Sequence, residues 1–314
     1  MEWLAGFVAF VIASIVGMFP AHMLAYQAAP LPHTGATVLF AGDMMFDRTI
    51  RTTTDEKGGD YIFSCIGPIL RDADFVVANL EGPITSTSSV SVGSIVGGKN
   101  NYTFTFPVLT ARLLYEHNIR IVNIGNNHIL NFGTWGLEET KRYLDAAGVG
   151  YFGDPVQHSV LHKRVNGVAL AFINYNEFAP PEHTNILGYV SISSTTVRQI
   201  REARAAGELP VVYTHWGIEY ATTSSAYSRE LAHSFIDAGA EVVIGSHPHV
   251  VEEHETYNGK NIYYSLGNFI FDQYWNDDVR NGLLLRVEFS ASGVRSLREI
   301  PIRLQQDRRT CLRS

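Results

Sequence analysis

The chain has only two cysteines, Cys65 and Cys311, in 314 residues, so it encodes no disulfide framework. A single Cys65–Cys311 bridge is open to it. Two unrelated thiols are the expected state, and neither residue has the spacing of a metal knuckle. Basic runs are missing as well. With 24 Lys+Arg against 31 Asp+Glu the formal net charge is −7, which argues against a nucleic-acid surface. No Walker loop, Rossmann glycine signature or internal repeat occurs, so the common nucleotide-binding motifs and the solenoids drop out.

Charge is also absent from Trp3 to Phe19, and the apolar character runs on to about Ala29. A membrane helix needs roughly 20 such residues and a signal-peptide core only about 7–15. Residues 1–29 therefore read as an uncleaved anchor with a hydrophobic helix over 3–29. A cleaved signal is the alternative, since Ala25 to Ala29 offers small residues. The first Lys or Arg is Arg48, so the positive-inside rule has nothing to count. An extracytoplasmic location for the remainder is expected on this segment alone. Residues 30–36, with Pro30, Pro32 and Gly35, read as a linker.

The remaining chain, with 46% apolar and 18% charged residues overall, is ordinary globular sequence. One domain is expected over 37–305, with a solvated tail at 306–314. Short apolar strands alternate with amphipathic helices. Strands are read at 37–41, 74–78, 119–124, 168–174, 210–214 and 241–244, with an edge strand at 102–106. Helices are read at 61–71, 107–117, from Thr134 as N-cap to Gly148, at 195–206 and at 225–238. The last third is strand-rich, at 261–266, 283–289 and 296–304, and residues 85–101 form a polar loop. This alternation predicts a largely parallel sheet covered by helices, whose ligands bind at the strand carboxyl ends.

Those strand ends carry chemistry. Gly245-Ser246-His247-Pro248-His249 follows the strand at 241–244, and two imidazoles on one turn suit a metal. Chance alone supplies about half such a pair per chain, so the pair decides nothing by itself. Other strand ends deliver Asp43, Glu81, Asn127 with His128, and His215. Each has a bland reading: a turn aspartate, a loop carboxylate, a helix cap, a core histidine. Their convergence at successive strand ends is what favours a site. Three imidazoles, two carboxylates and a carboxamide suit Zn, Mn or Fe(II) better than Ca or Mg. Six ligands exceed one tetrahedral ion and imply a pair of divalent metals. His128, beside Asn127, is placed to protonate a leaving oxygen or contact an oxyanion.

The chain resembles the CapA-like family of poly-γ-glutamate capsule synthesis proteins, whose domain is related to calcineurin-like metallophosphoesterases. The resemblance spans about 37–290. Gly42-Asp43-Met44-Met45, Asn79-Leu80-Glu81, Asn126-Asn127-His128 and His215-Trp216-Gly217-Ile218-Glu219 carry its first part. Asp237-Ala238-Gly239-Ala240, the 245–249 turn and the stretch from Tyr264 to Asp272 carry the rest. It implies an α/β fold, a four-layer α-β-β-α metallophosphoesterase-like sandwich. It also implies metal ligands at Asp43, Glu81, Asn127, His215, His247 and His249, and a catalytic His128. Arg48, Glu219 and Asn268 match site-lining or substrate positions. In three places the chain departs from the metallophosphoesterase pattern: Met45 replaces a histidine, Glu81 an aspartate, and Asn131 an aspartate that would orient His128.

The expected function is capsule or poly-γ-glutamate biosynthesis with a metal-dependent, phosphoesterase-like hydrolase site, acting on a phosphoester or an anionic polymer. The alternative is a non-catalytic, membrane-anchored accessory that binds an anionic polymer or its synthase complex. A soluble cytosolic phosphodiesterase would require residues 1–29 to be neither signal nor anchor.

Overall fold

The computed structural model describes residues 35–157, 159–178 and 186–313, the side chains of 186–192 excepted. The expected N-terminal helix over 3–29 lies outside these residues. Among the described residues, no helix is long and apolar enough to cross a membrane.

The chain builds one sheet, then a second, then returns to the first. β1 (Ala36–Met44) leads into three short helices, α1 (Arg48–Lys57), α2 (Asp60–Phe63) and α3 (Gly67–Arg71). β2 (Phe75–Leu80), α4 (Thr110–Glu116), β3 (Ile119–Asn123), α5 (Gly133–Ala147) and β4 (Gly150–Phe152) follow. β1 to β4 lie side by side and parallel. The second sheet takes β5 (Leu161–Val165), β6 (Val168–Asn176), β7 (Leu209–His215), β8 (Val242–Ser246), β9 (His254–Tyr257) and β10 (Lys260–Tyr263). Helices α6 (Ile186–Ala205) and α7 (Ala226–Ala238) make its crossovers. On the return, β11 (Asn268–Ile270) pairs with the end of β1. After α8 (Asp277–Arg280), the antiparallel strands β12 (Asn281–Ser290), β13 (Gly293–Leu304) and β14 (Thr310–Leu312) extend the first sheet beyond β1.

Side chains alternate between the two faces of a strand, and here both faces are apolar. On β1, Val38 and Phe40 enter one buried cluster while Leu39 and Ala41 enter another. Val211 and Tyr213 of β7 join Val38 and Phe40, whereas Val212 packs outward with Phe235 of α7. Three apolar clusters thus separate layers: helices on the first sheet, sheet on sheet, and the second sheet on α6 and α7. The result is a mixed α/β sandwich. Each large side chain fully buried in these clusters contributes roughly 1.5–3 kcal/mol.

Helix ends follow local chemistry. Ser225 caps α7 by accepting from the Ser228 amide at 2.9 Å, and α7 stops at Gly239 with φ 115°. α5 stops at Gly148 as expected, but its N-cap position is Phe132, with Thr134 inside the helix.

Several expectations need correction. The sheets are mixed: β5, β9, β12, β13 and β14 pair antiparallel. The helix read at 61–71 breaks into α2 and α3, because Pro68 opens α3 and has no N–H to carry the preceding turn through. The edge strand read at 102–106 is a single bridge between Ile84 and Phe106; its alternation comes from Phe104 and Phe106 plugging the core. α1 gives no helical signal in the sequence, because Ile50 is its only buried residue and leaves no apolar period. Residues 310–312 of the expected solvated tail form β14, with Thr310 buried. β14 brings Cys311 beside α2, and Cys65 and Cys311 form a disulfide with Cα atoms 4.9 Å apart.

Candidate metal centre

Two glycines decide how closely the sheets approach at the strand ends. A Cβ on Gly42 would sit 1.8 Å from the Gly267 carbonyl oxygen, and one on Gly245 would sit 1.8 Å from that of Tyr264. Only glycine at both places lets the segment 264–267 run between β1 and β8. The Asp43 amide donates to Gly267 O at 3.0 Å, and Leu266 donates to Gly245 O at 3.1 Å. This contact brings the next residue of one motif to the next residues of the other: the His247 amide donates to Asp43 Oδ2 at 3.1 Å. His247 and His249 hold positive φ values of 98° and 60°, which non-glycine residues seldom adopt and which concentrate at functional sites.

Around this junction the donors gather. Asp43 from β1, Glu81 just past β2 and His249 offer ligand atoms within 4.8 Å of one another, and so do Glu81, His215 and His247. All five are buried, and Glu81 belongs to both groups. Asn127, past β3, completes the set, its Oδ1 lying 3.0 Å from His215 Nε2. His247 Nδ1 is 3.2 Å from the same nitrogen. His249 lies 3.3 Å from Asp43 Oδ2 through Nδ1 and 3.5 Å from Glu81 Oε1 through Nε2. The six residues expected as ligands are therefore brought together.

Surrounding amides fix the ring tautomers. Asn268 Nδ2 donates to His249 O, Gln273 Oε1 and Val279 O, so its Oδ1 faces His249 and Nδ1, 3.0 Å away, must carry the proton. That leaves the lone pair on Nε2, toward Glu81. Ser246 Oγ donates to Thr214 O at 2.7 Å and so accepts from His215 Nδ1 at 3.0 Å, leaving Nε2 of His215 free toward Asn127 and His247. Beneath them, Asn79 accepts from Asn123 and Asn126 on its oxygen. Its Nδ2 donates to Asp43 Oδ1 at 2.8 Å and to Glu81 Oε2 at 3.4 Å.

His128 sits at the edge of the cluster against Phe104, with ring centroids 4.4 Å apart. Asn131 Oδ1 accepts the Phe104 amide at 2.8 Å, so it also accepts from His128 Nδ1 at 3.2 Å, and the ring's lone pair lies on Nε2. Asn131 thus orients His128 without the charge of an aspartate. Arg48, at φ 49°, donates to Asp272 Oδ1 at 2.5 Å, lies over the rings of Phe104 and Phe271, and leaves a buried Nε without a hydrogen bond among the described residues. Glu219 is exposed and reaches the cluster only through its charge, which helps to raise Glu81. Met45 is buried in the apolar cluster beside the first sheet, where its sulfur accepts the Asp47 amide.

Burial dominates the electrostatics. It pushes Glu81 well above the ordinary carboxylate range, helped by the negative charge of Asp43. It also lowers His215, takes His247 down to about 3 and His128 to about 4. A divalent metal fits this set. Glu81 Oε1 is a buried carboxylate oxygen with no hydrogen bond among the described residues, an arrangement that is costly unless a cation meets it. Imidazole lone pairs and two carboxylates around that oxygen supply the donors of a borderline transition metal.

Sequence reasoning missed Asn79 and Ser246 as positioning residues, and Phe178, whose ring centroid is 4.1 Å from that of His247. A signal was present for Asn79: it is a polar residue inside the fully buried run 75–80.

Residues 37–273, which contain every residue of the cluster, match the sequence profile of the family described as bacterial capsule synthesis protein PGA_cap. The PGA biosynthesis protein CapA of Bacillus subtilis is 32% identical over 278 residues, covering 85% of this chain and 71% of that one. The capsule biosynthesis protein CapA of Bacillus anthracis is 28% identical over 296 residues, covering 88% and 70%. A protein of Mycobacterium tuberculosis named "probable polyglutamine synthesis accessory protein" is 29% identical over 264 residues, covering 75% and 67%.

Proposed function

The chain belongs to the bacterial capsule synthesis protein family PGA_cap, and from that premise we propose that it serves poly-glutamate capsule biosynthesis through a buried metal-dependent hydrolase centre. The observation that carries the reading is the pair of ligand groups sharing Glu81 at the junction of the two sheets. Asp43, Glu81, Asn127, His215, His247 and His249 would hold two divalent ions, drawn from Mn, Zn and Fe. When bound, such ions polarise a phosphoester or acyl oxygen and lower the pKa of a water.

The chain's own residues supply the rest. Asn268 and Ser246 hold two imidazoles with Nε2 turned to the centre. Asn131 fixes His128 so that Nε2 is the atom at which a proton is held or passed to a leaving oxygen. Arg48, anchored by Asp272, places a guanidinium beside the carboxylates and His128, where it attracts an anionic substrate. The Cys65–Cys311 disulfide supports an extracytoplasmic domain, because such bonds persist in oxidising compartments. On that reading, residues 3–29 hold the domain at the membrane.

The test is hydrolysis of an aryl phosphodiester by the metal-loaded full chain. Activity is expected to need metal and to fall about 100-fold or more in His128→Ala, with metal content unchanged. Equal activity in His128→Ala would remove that residue's role. No hydrolysis by the loaded protein would favour the second reading, a non-catalytic accessory that binds an anionic polymer or its synthase, to which Met45 and Asn131 already lend weight.

A further inference from the structure

Outside the candidate centre, a cavity of about 290 Å³ has Val251, Glu252, Tyr263, Leu283, Glu299 and Pro301 in its walls. Glu252 is 6% exposed, yet its carboxylate makes no hydrogen bond or ion pair among the described residues. The two charges that act on it, Glu253 and Arg229, pair with each other. Glu299 accepts from Tyr263 at 2.9 Å and faces His254 at 3.5 Å. Arg229 and Ser224 pair with Glu253. Burial, reinforced by the Glu253 charge, pushes Glu252 up to about 8. A buried carboxylate without a partner is costly, and a cation entering the cavity would relieve that cost.

The cavity's size and walls choose between kinds of cation. At roughly 30 Å³ per water, 290 Å³ is the space of about ten waters, far more than a bare ion fills. Neither potential metal group among the described residues includes Glu252. Val251, Leu283, Pro301 and the Tyr263 ring instead offer apolar surface, while the exposed Thr222, Asp278 and Arg313 lie along the opening. We infer that this cavity binds a primary ammonium on a short aliphatic chain, the ammonium pairing with Glu252 and the chain lying against Val251 and Leu283. This site is separate from the metal centre and stands whether or not that centre is catalytic.

Calorimetric titration of the full chain with n-pentylammonium, and in parallel with neutral pentan-1-ol, tests it. Saturable binding of the ammonium is expected, with the alcohol at least tenfold weaker. Glu252→Gln should weaken the ammonium at least tenfold, and so should Thr222→Lys, a surface change that brings a tethered ammonium to the opening. The inference is overturned if the ammonium fails to saturate, if the alcohol binds as well, or if folded Glu252→Gln binds it unchanged. Manganese alone displacing the ammonium from the wild type would likewise overturn it in favour of a metal site.

Discussion

The two sheets contribute different chemistry to one site. From the first sheet, β1, β2 and β3 end in oxygen donors, Asp43, Glu81 and Asn127; from the second, β7 and β8 end in imidazoles, His215, His247 and His249. Neither sheet alone offers the mixed set that a transition metal prefers. The candidate centre therefore lies where the sheets meet, and Gly42 and Gly245 set how closely they meet. Asn79 lies at the seam: its amide nitrogen donates to Asp43 and Glu81 of the first half and lies 3.3 Å from His215 Nδ1 of the second.

If the halves are equal partners, removing one donor from either should do the same damage. Asp43→Ala and His247→Ala are each expected to weaken manganese binding more than 100-fold by titration calorimetry, with circular dichroism unchanged. A large loss from one and none from the other would mean that a single sheet makes the site. Asn79→Ala, which loosens Asp43 and Glu81 together, should weaken binding between about 10- and 100-fold. Asn268→Ala frees only His249, and about tenfold is expected at the low end of the same range; a larger loss than for Asn79→Ala would mean that holding one imidazole matters more than holding both carboxylates.

The smallest effect contrasts a carboxylate inside the centre with one outside it. Glu81 sits among imidazoles, whereas Glu252 is buried near Glu253 with no partner among the described residues, and burial lifts it from 4.5 to about 8. A raised folded pKa means that the group costs nothing below its unfolded value. Its stability contribution is then lost as pH rises from about 4.5 through about 8. Glu252→Gln should therefore raise stability at pH 8.5 and leave it unchanged at pH 4. Denaturant titration at the two pH values checks this, and an equal gain at both would deny the burial.

Much of this was legible in the sequence. The six donors were readable because each follows an apolar strand, and parallel strands deliver their carboxyl ends to one edge. The α/β sandwich came through resemblance, since no local pattern says which sheet a strand joins. What joins the donors was harder to see. Asn79 lies inside a buried strand and Ser246 inside a turn, where an amide or hydroxyl gives no periodic signal. The Cys65–Cys311 bond was unreadable for another reason. It depends on β14 folding back onto β13 and so setting Cys311 beside α2, 246 residues after Cys65, a distant contact that three strand residues do not announce.

Elemental analysis of the purified, exhaustively dialysed protein tests the shared centre most directly. About two Mn, Zn or Fe per chain are expected in the wild type, with most of it lost from Asp43→Ala and from His247→Ala alike. A wild type that carries none of these metals, or two variants that both keep them, would contradict a centre built half by each sheet.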